Sequence, residues 1–181
     1  MKKRLLPLFP YLKDMREQSE IFHSLRPIHF IFKKIDAKVP DNYNGKRPFI
    51  GIVVTVNGIE YVAPLSSPKP QLERINNSKP SVFKMFSRKD ANDFLGVINL
   101  NYMIPYLASE VTLLDVDNIQ DHKYKNLLQK QHEYIKINKE EISSKATKLH
   151  DLVRNKKQDH FVSISCDFDA LENALKSFQA T

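Results

Sequence analysis

From Pro27 onward, apolar side chains at Ile28, Ile31, Phe32 and Ile35 recur at i, i+3, i+4 and i+7, the spacing that lines one face of a helix. Proline is tolerated at a first helical position, where its missing N–H would have no intrahelical partner. A helix is therefore expected to open at Pro27, with Lys33 and Lys34 away from its apolar stripe. Turn-forming residues at 40–45 then interrupt the pattern. Residues 49–56 and 59–64 flank Asn57-Gly58, a dipeptide that accepts the positive φ a type I′ turn needs at both central positions. The pair predicts a β-hairpin. Residues 70–93 are polar and rich in Pro, Ser and Asn, which predicts a long loop with a short helix near 82–86. Residues 96–104 and 111–116 are read as strands.

Helical spacing returns from 122 to 156, with Tyr124, Leu127, Leu128, Gln131, Tyr134, Ile135, Ile142, Ala146, Leu149, Leu152 and Val153 on one side. That stretch exceeds a usual globular helix, so a break is expected near Asn138 or at Ser143-Ser144. Residues 161–166 alternate like an edge strand, and Asp167 or Asp169 can cap a last helix over 170–178. The pattern adds up to an α+β domain, a compact and mainly antiparallel sheet with helices around it.

Composition narrows the class. The 181 residues suffice for one domain with a core, and 41% hydrophobic with 27% charged residues is a globular balance. No apolar run approaches the roughly 18–20 residues a membrane span needs. Residues 1–10 mimic the charged and apolar regions of a signal peptide, but the apolar part is short, holds two prolines and runs into Lys13, Asp14 and Arg16 without a small-residue cleavage site. Residues 1–18 are read as a cytoplasmic N-terminal extension ahead of a single domain over 19–181. A lone Cys166 excludes an internal disulfide and fits a reducing compartment.

The net charge of +7 is uneven. Residues 121–157 carry ten Lys/Arg against five Asp/Glu, net +5, while 158–181 carry one against four, net −3. Such an excess suits a polyanion, because neutralising phosphates releases condensed counter-ions. It also suits a solvated lysine-rich helix that binds no nucleic acid.

Chemistry concentrates at Tyr61-Val62-Ala63-Pro64-Leu65-Ser66-Ser67-Pro68-Lys69-Pro70. Prolines at 64, 68 and 70 fix φ near −65° and push the residues before them towards extended geometry. Ser66, Ser67 and Lys69 are thus expected on a stiff turn. Two hydroxyls beside a cation suit a phosphate, whose oxygens take donors and whose charge takes a counter-ion. A Pro-rich connecting loop would use the same residue types.

The flanking stretches decide between these readings. Ile35-Asp36-Ala37-Lys38-Val39-Pro40 comes first, then Tyr43-Asn44 with Arg47-Pro48-Phe49-Ile50-Gly51-Ile52-Val53. The Tyr61–Lys69 stretch follows, then Leu95-Gly96-Val97-Ile98-Asn99-Leu100-Asn101-Tyr102-Met103-Ile104-Pro105 and Tyr124-Lys125-Asn126-Leu127-Leu128-Gln129-Lys130-Gln131. In this order and over roughly two thirds of the chain, they resemble the ToxN/AbiQ family, the endoribonuclease toxins of type III toxin–antitoxin and phage-abortive systems. The resemblance implies a strongly twisted, barrel-like sheet. It also implies metal-free cleavage of RNA that leaves 2′,3′-cyclic phosphate and 5′-hydroxyl ends. It puts catalysis on Ser66, Ser67, Lys69 and Tyr43, with Ser66 where some relatives carry threonine. A surface of Lys33, Lys34, Lys46, Arg47, Lys123 and Lys130 is expected to grip RNA. A second family tyrosine has no clear equivalent: alignment on Val39-Pro40 puts Ile28 there, with His29 or His23 nearby. A histidine beside an apolar stripe is more often structural than a general base.

The expected partners are cellular or phage RNA as substrate and a small structured RNA of tandem repeats as inhibitor, bound in a closed protein–RNA ring. A catalytically silent RNA-binding protein, or a related ribonuclease toxin restrained by a protein, are the alternatives. No cofactor or metal is expected, since the six histidines and Cys166 show no ligand spacing. Asp115 and Asp117 read as solvated carboxylates.

Overall fold

Among the residues described by the computed structural model, 21–25, 27–41 and 50–179, every strand pairing is antiparallel. The strands are β1 (Ile21–Leu25), β2 (Gly51–Val56), β3 (Ile59–Ser66), β4 (Val82–Phe86), β5 (Phe94–Asn99), β6 (Ile104–Pro105) and β7 (Val111–Leu113). They lie in the order β4-β5-β3-β2-β1-β7, with β6 on β3, and the sheet curls into a half-barrel. Its helices are α1 (Pro27–Ile35), α2 (Pro70–Glu73), α3 (His122–Ile137), α4 (Lys139–Arg154), α5 (Asp159–Ile164) and α6 (Phe168–Gln179). The α+β, mainly antiparallel reading holds. No described helix is long and apolar enough to cross a membrane. The 1–18 extension lies outside the described residues.

The hairpin forms as its turn chemistry dictates. Asn57 and Gly58 take φ of 49° and 81°, and β2 and β3 then pair in unbroken register from Val56↔Ile59 to Gly51↔Pro64. The α1 stripe buries Ile28 and Phe32 completely, while Ile35 at its end is exposed. The break in the long helical stretch falls at Asn138, which ends α3 and opens α4. Its side chain donates to Tyr134 O at 2.7 Å, and its carbonyl accepts from Ile142 N at 2.9 Å. The Asp167 side chain accepts from Ala170 N at 3.0 Å and so caps α6.

Two segments depart from the expectation. Residues 82–86 form strand β4, not a short helix, and the helix in this region is the single turn α2. Five residues are too few to hold a helix alone, whereas pairing along β5 from Val82↔Asn99 to Phe86↔Phe94 satisfies the backbone. Residues 161–166 are mostly helix α5, not an edge strand. Lys38 Nζ donates to the α5-end carbonyls of Val162 (3.2 Å) and Ser165 (2.6 Å), and Asn101 Nδ2 donates to Ile164 O at 2.8 Å. A cation and an amide at those last carbonyls favour a helix C-terminus. The strands read over 96–104 and 111–116 are shorter than expected: 3₁₀ turns take over at Leu100–Tyr102 and Val116–Asn118.

A buried polar cluster ties the sheet to the helices. The Tyr61 hydroxyl on β3 donates to Glu172 Oε1 on α6. His150 Nε2 on α4 lies 3.0 Å from the same oxygen, and Arg154 Nη1 donates to Glu172 Oε2 at 2.6 Å. Burial pushes the Glu172 carboxyl up, but hydrogen bonds from Tyr61 and His150 and the charge of Arg154 outweigh it, so its pKa is lowered.

Candidate active site at the end of β3

β3 changes partners along its length, and the change delivers the turn. Tyr61 and Val62 pair with β6, whereas Leu65 and Ser66 pair with Ile98 and Val97 of β5. Pro64 lies between the two pairings. A proline has no N–H to lose in a ladder, so it fits where one partner has ended and the next has not begun. Its carbonyl is met by a side chain instead: Asn99 Nδ2 donates to Pro64 O at 3.2 Å. Leu65 N returns to the β2 side, donating to Ile50 O at 2.8 Å.

The Ser66-Ser67 backbone then crosses directly over Gly96, which has φ of 110°. A Cβ there would lie 2.0 Å from Ser66 O and 3.0 Å from Ser67 C, closer than real side chains come. Only glycine lets the two segments touch. Asn99 Nδ2 also donates to Ser66 Oγ at 2.9 Å. Ser66 is half-buried, while Ser67 and Lys69 are exposed. Lys69 is the extended residue that opens α2, and its carbonyl accepts from Leu72 N and Glu73 N at 2.9 and 3.1 Å. Lys84 Nζ on β4 donates to Glu73 O and so fastens the far end of that turn. Among the described residues no side chain takes up the Ser67 hydroxyl or the Lys69 ammonium. The result is two hydroxyls and a cation on a braced strand end, the donor set for a phosphate.

The other expected site residues are placed as follows. Tyr43, Lys46 and Arg47 lie outside the described residues. Lys33 Nζ turns back onto its own chain, donating to Ala37 O (3.0 Å) and Val39 O (2.6 Å). Lys34 Nζ sits 4.4 Å over the exposed ring of Phe30. Lys130 pairs with Asp93 at 2.8 Å, just before β5, and α3 also reaches β5 through Gln131 Nε2, which donates to Leu95 O at 2.7 Å. Lys123 is exposed at the start of α3. Ile28, in the place of the second family tyrosine, is a core residue. The neighbouring His29 is buried with Nε2 2.8 Å from Pro40 O. Burial lowers its pKa against that hydrogen bond, which fits a neutral ring serving structure. Asp115 accepts from Asn118 and shapes a turn.

Gly96 and Asn99 carry the geometry of the turn, yet nothing local in the sequence marks them as site residues. Their only signal is membership of the Leu95–Pro105 stretch, and the antiparallel β3–β5 pairing is what brings that stretch against the turn. A cleft of about 490 Å³ exists elsewhere, lined by Leu113, Val116, Gln129 and His132. It sits beside β7, at the sheet edge three strands from β3, and takes no part in the site. Among the described residues, no three His, Cys, Asp or Glu side chains converge as metal ligands.

Comparison with known proteins matches residues 27–176 to the family model described as toxin ToxN, type III toxin–antitoxin system. An endoribonuclease ToxN of Pectobacterium atrosepticum is 37% identical over 150 residues, covering 81% of this chain and 85% of that one. The endoribonuclease AbiQ of Lactococcus lactis subsp. lactis is 30% identical over 145 residues, covering 77% and 78%. A solved structure of a bacterial antiviral system regulated by a processed non-coding RNA superposes with a TM-score of 0.73 at 34% identity, over 85% of this chain and 95% of that one.

Proposed function

The chain belongs to the ToxN family of type III toxin–antitoxin toxins, and on that premise we propose that it is an endoribonuclease whose catalytic groups are Ser66, Ser67 and Lys69. RNA supplies its own nucleophile. The 2′-hydroxyl oxygen attacks the adjacent phosphorus, the P–O2′ bond forms as the P–O5′ bond breaks, and the products carry a 2′,3′-cyclic phosphate and a 5′-hydroxyl. One proton leaves the 2′-oxygen and one arrives on the 5′-oxygen. The protein has to align those atoms and stabilise charge on the non-bridging oxygens. Ser66 and Ser67 donate to those oxygens, and Lys69 opposes the charge that builds in the transition state. A serine hydroxyl is too weak an acid to serve unaided as a base near neutral pH, so positioning is its task. Tyr43 completes the catalytic set by its match to the family motif. This chemistry requires no metal ion, because the substrate brings its own nucleophile and Lys69 supplies the charge that a cation would otherwise provide. The observation that carries the reading is the exposed Ser67–Lys69 pair, without partners among the described residues, at a strand end braced from both sides.

A small repeat-containing RNA, which the enzyme itself cuts, is the proposed inhibitor, in a closed cytoplasmic assembly. It must cover Lys69 to inhibit. Regulation by a processed non-coding RNA in a structurally similar antiviral system supports this part.

The test is cleavage of a short RNA. Lys69→Ala is expected to lose about 10²–10³ in rate, the usual cost of one preorganised charge interaction, without a change in melting temperature. A substrate with a single 2′-deoxy sugar at the cut should be inert, and EDTA should leave the rate unchanged. Wild-type rates from Lys69→Ala would remove the site. Cutting of the deoxy substrate, or loss of activity in chelator, would replace the mechanism with a metal-dependent one.

A further inference from the structure

We infer that Asn99 is a positioning residue which aims the Ser66 hydroxyl outward, towards the substrate phosphate. The inference rests on the reading of this turn as the RNA-cleaving site and adds the residue that orients it. Asn99 is buried on β5 at 8% exposure, and its Nδ2 reaches both Pro64 O (3.2 Å) and Ser66 Oγ (2.9 Å).

The proline carbonyl fixes which way the amide faces. A carbonyl oxygen can only accept, so the Asn99 atom beside it must be the NH₂ and not the oxygen. The second hydrogen of that NH₂ then points at Ser66 Oγ, which receives it as an acceptor. A hydroxyl has one hydrogen and two lone pairs. With a donor held against it from inside the sheet, the Ser66 hydrogen has no inward acceptor, and among the described residues no other side chain accepts it. It faces away from Asn99. Proton direction, rather than oxygen position alone, is therefore built into the β3–β5 pairing. An unoriented serine hydroxyl would have to give up an inward hydrogen bond each time it donated to a phosphate. Here the hydrogen is already turned outward in the resting protein, which is the preorganisation that transition-state stabilisation requires.

Asn99→Asp nearly preserves shape and reverses polarity. The new carboxyl presents acceptor oxygens to Ser66 Oγ and draws its proton inward. Cleavage of a short RNA is expected to fall about 10²-fold in kcat, the low end for one lost oriented donor, with KM little changed. The decisive comparison is a double-mutant cycle with Ser66→Ala. If Asn99 acts through the Ser66 hydroxyl, Asn99→Asp costs almost nothing further once that hydroxyl is gone, whereas losses from an independent structural role multiply. Melting temperatures are read alongside. If Asn99→Asp does not fold, Asn99→Ala is taken through the same cycle. Wild-type kcat in the Asn99 variant, or full multiplication of the two losses, overturns the inference while leaving the site in place. The wild-type and Lys69→Ala proteins in the same series separate the two failures. If wild type does not cleave, or Lys69→Ala cleaves as well as wild type, the underlying reading falls and this inference with it.

Discussion

Gly96 shows how one atom's absence shapes the site. Its φ of 110° and the 2.0 Å that a Cβ would leave to Ser66 O are two separate penalties. Replacing it with alanine forces the Ser66-Ser67 backbone away from β5, and displacements of about 1 Å at reacting groups can cost on the order of 10²-fold in rate. Gly96→Ala is expected to lose cleavage to that extent, with a stability loss of about 1–3 kcal/mol from the strained backbone. Gly58→Ala is the control: its φ of 81° is also unfavourable for a side chain, but a Cβ there meets nothing within 4 Å. It should lose stability and keep its rate, as measured by melting and by single-turnover cleavage. Equal rates in the two variants would mean that the close approach does not matter to catalysis. Ser66, Ser67 and Lys69 are neighbours in sequence, and the prolines around them announce a stiff turn. Gly96 and Asn99 act on that turn from about 30 residues away, and only strand pairing brings them there.

At the scale of elements, legibility followed whether the stabilising partner was local. The Asn57-Gly58 hairpin, α1 and the break at Asn138 are set by residues within a turn or two, and all formed as their patterns require. β4 and α5 depend on distant groups: β4 on its ladder with β5, α5 on Lys38 and Asn101. The Ile35–Pro40 stretch of the family pattern also proves to be partly structural, since Asp36 Oδ2 accepts from Asp167 N at 2.7 Å. The Tyr61–His150–Arg154–Glu172 cluster is a further long-range device, and it makes stability depend on pH. The Glu172 pKa is lowered in the folded state, so the folded protein binds fewer protons here than the unfolded chain. Its contribution is present above the unfolded carboxylate pKa of about 4.3 and is lost as pH falls through the lower folded value. Among the described residues, Glu172→Ala leaves Arg154 only Asp169, to which its Nε donates at 2.6 Å. It should cost about 3 kcal/mol, the low end for a broken buried pair. Glu172→Gln should flatten the loss of denaturation midpoint as pH falls below about 5. An acid slope unchanged in that variant would place the acid sensitivity in other carboxylates.

Across the whole molecule, the basic excess counted from the sequence is partly consumed inside the fold. Within 121–157, Lys125 pairs with Asp117, Lys130 with Asp93, Arg154 with Asp169 and Glu172, and Lys156 with Asp151, while Lys145 donates to Asn77 O and anchors the loop after α2. Not all of this charge is lost to a polyanion. The Lys130–Asp93 pair is more than a third exposed on both sides, and exposed pairs are worth only about 0–1 kcal/mol, so a phosphate can displace the carboxylate. Lys123 and Lys130 are seven residues apart and share one face of α3, next to the strand that braces Ser66. A folded repeat RNA long enough to span from that face to Lys69 would touch both, whereas a short single-stranded substrate needs only the turn. Reversing both charges, Lys123→Glu with Lys130→Glu, is therefore expected to weaken binding of the folded RNA far more than it slows cleavage of the short one. The salt dependence should change with it, since each phosphate that the protein no longer neutralises makes the log–log slope shallower by about 0.7–0.9. Both quantities can be read in one titration series over salt, with binding measured in the Lys69→Ala background so that the RNA stays intact. An equal loss of binding and cleavage would confine recognition to the Ser66–Lys69 turn and leave the α3 face merely solvated.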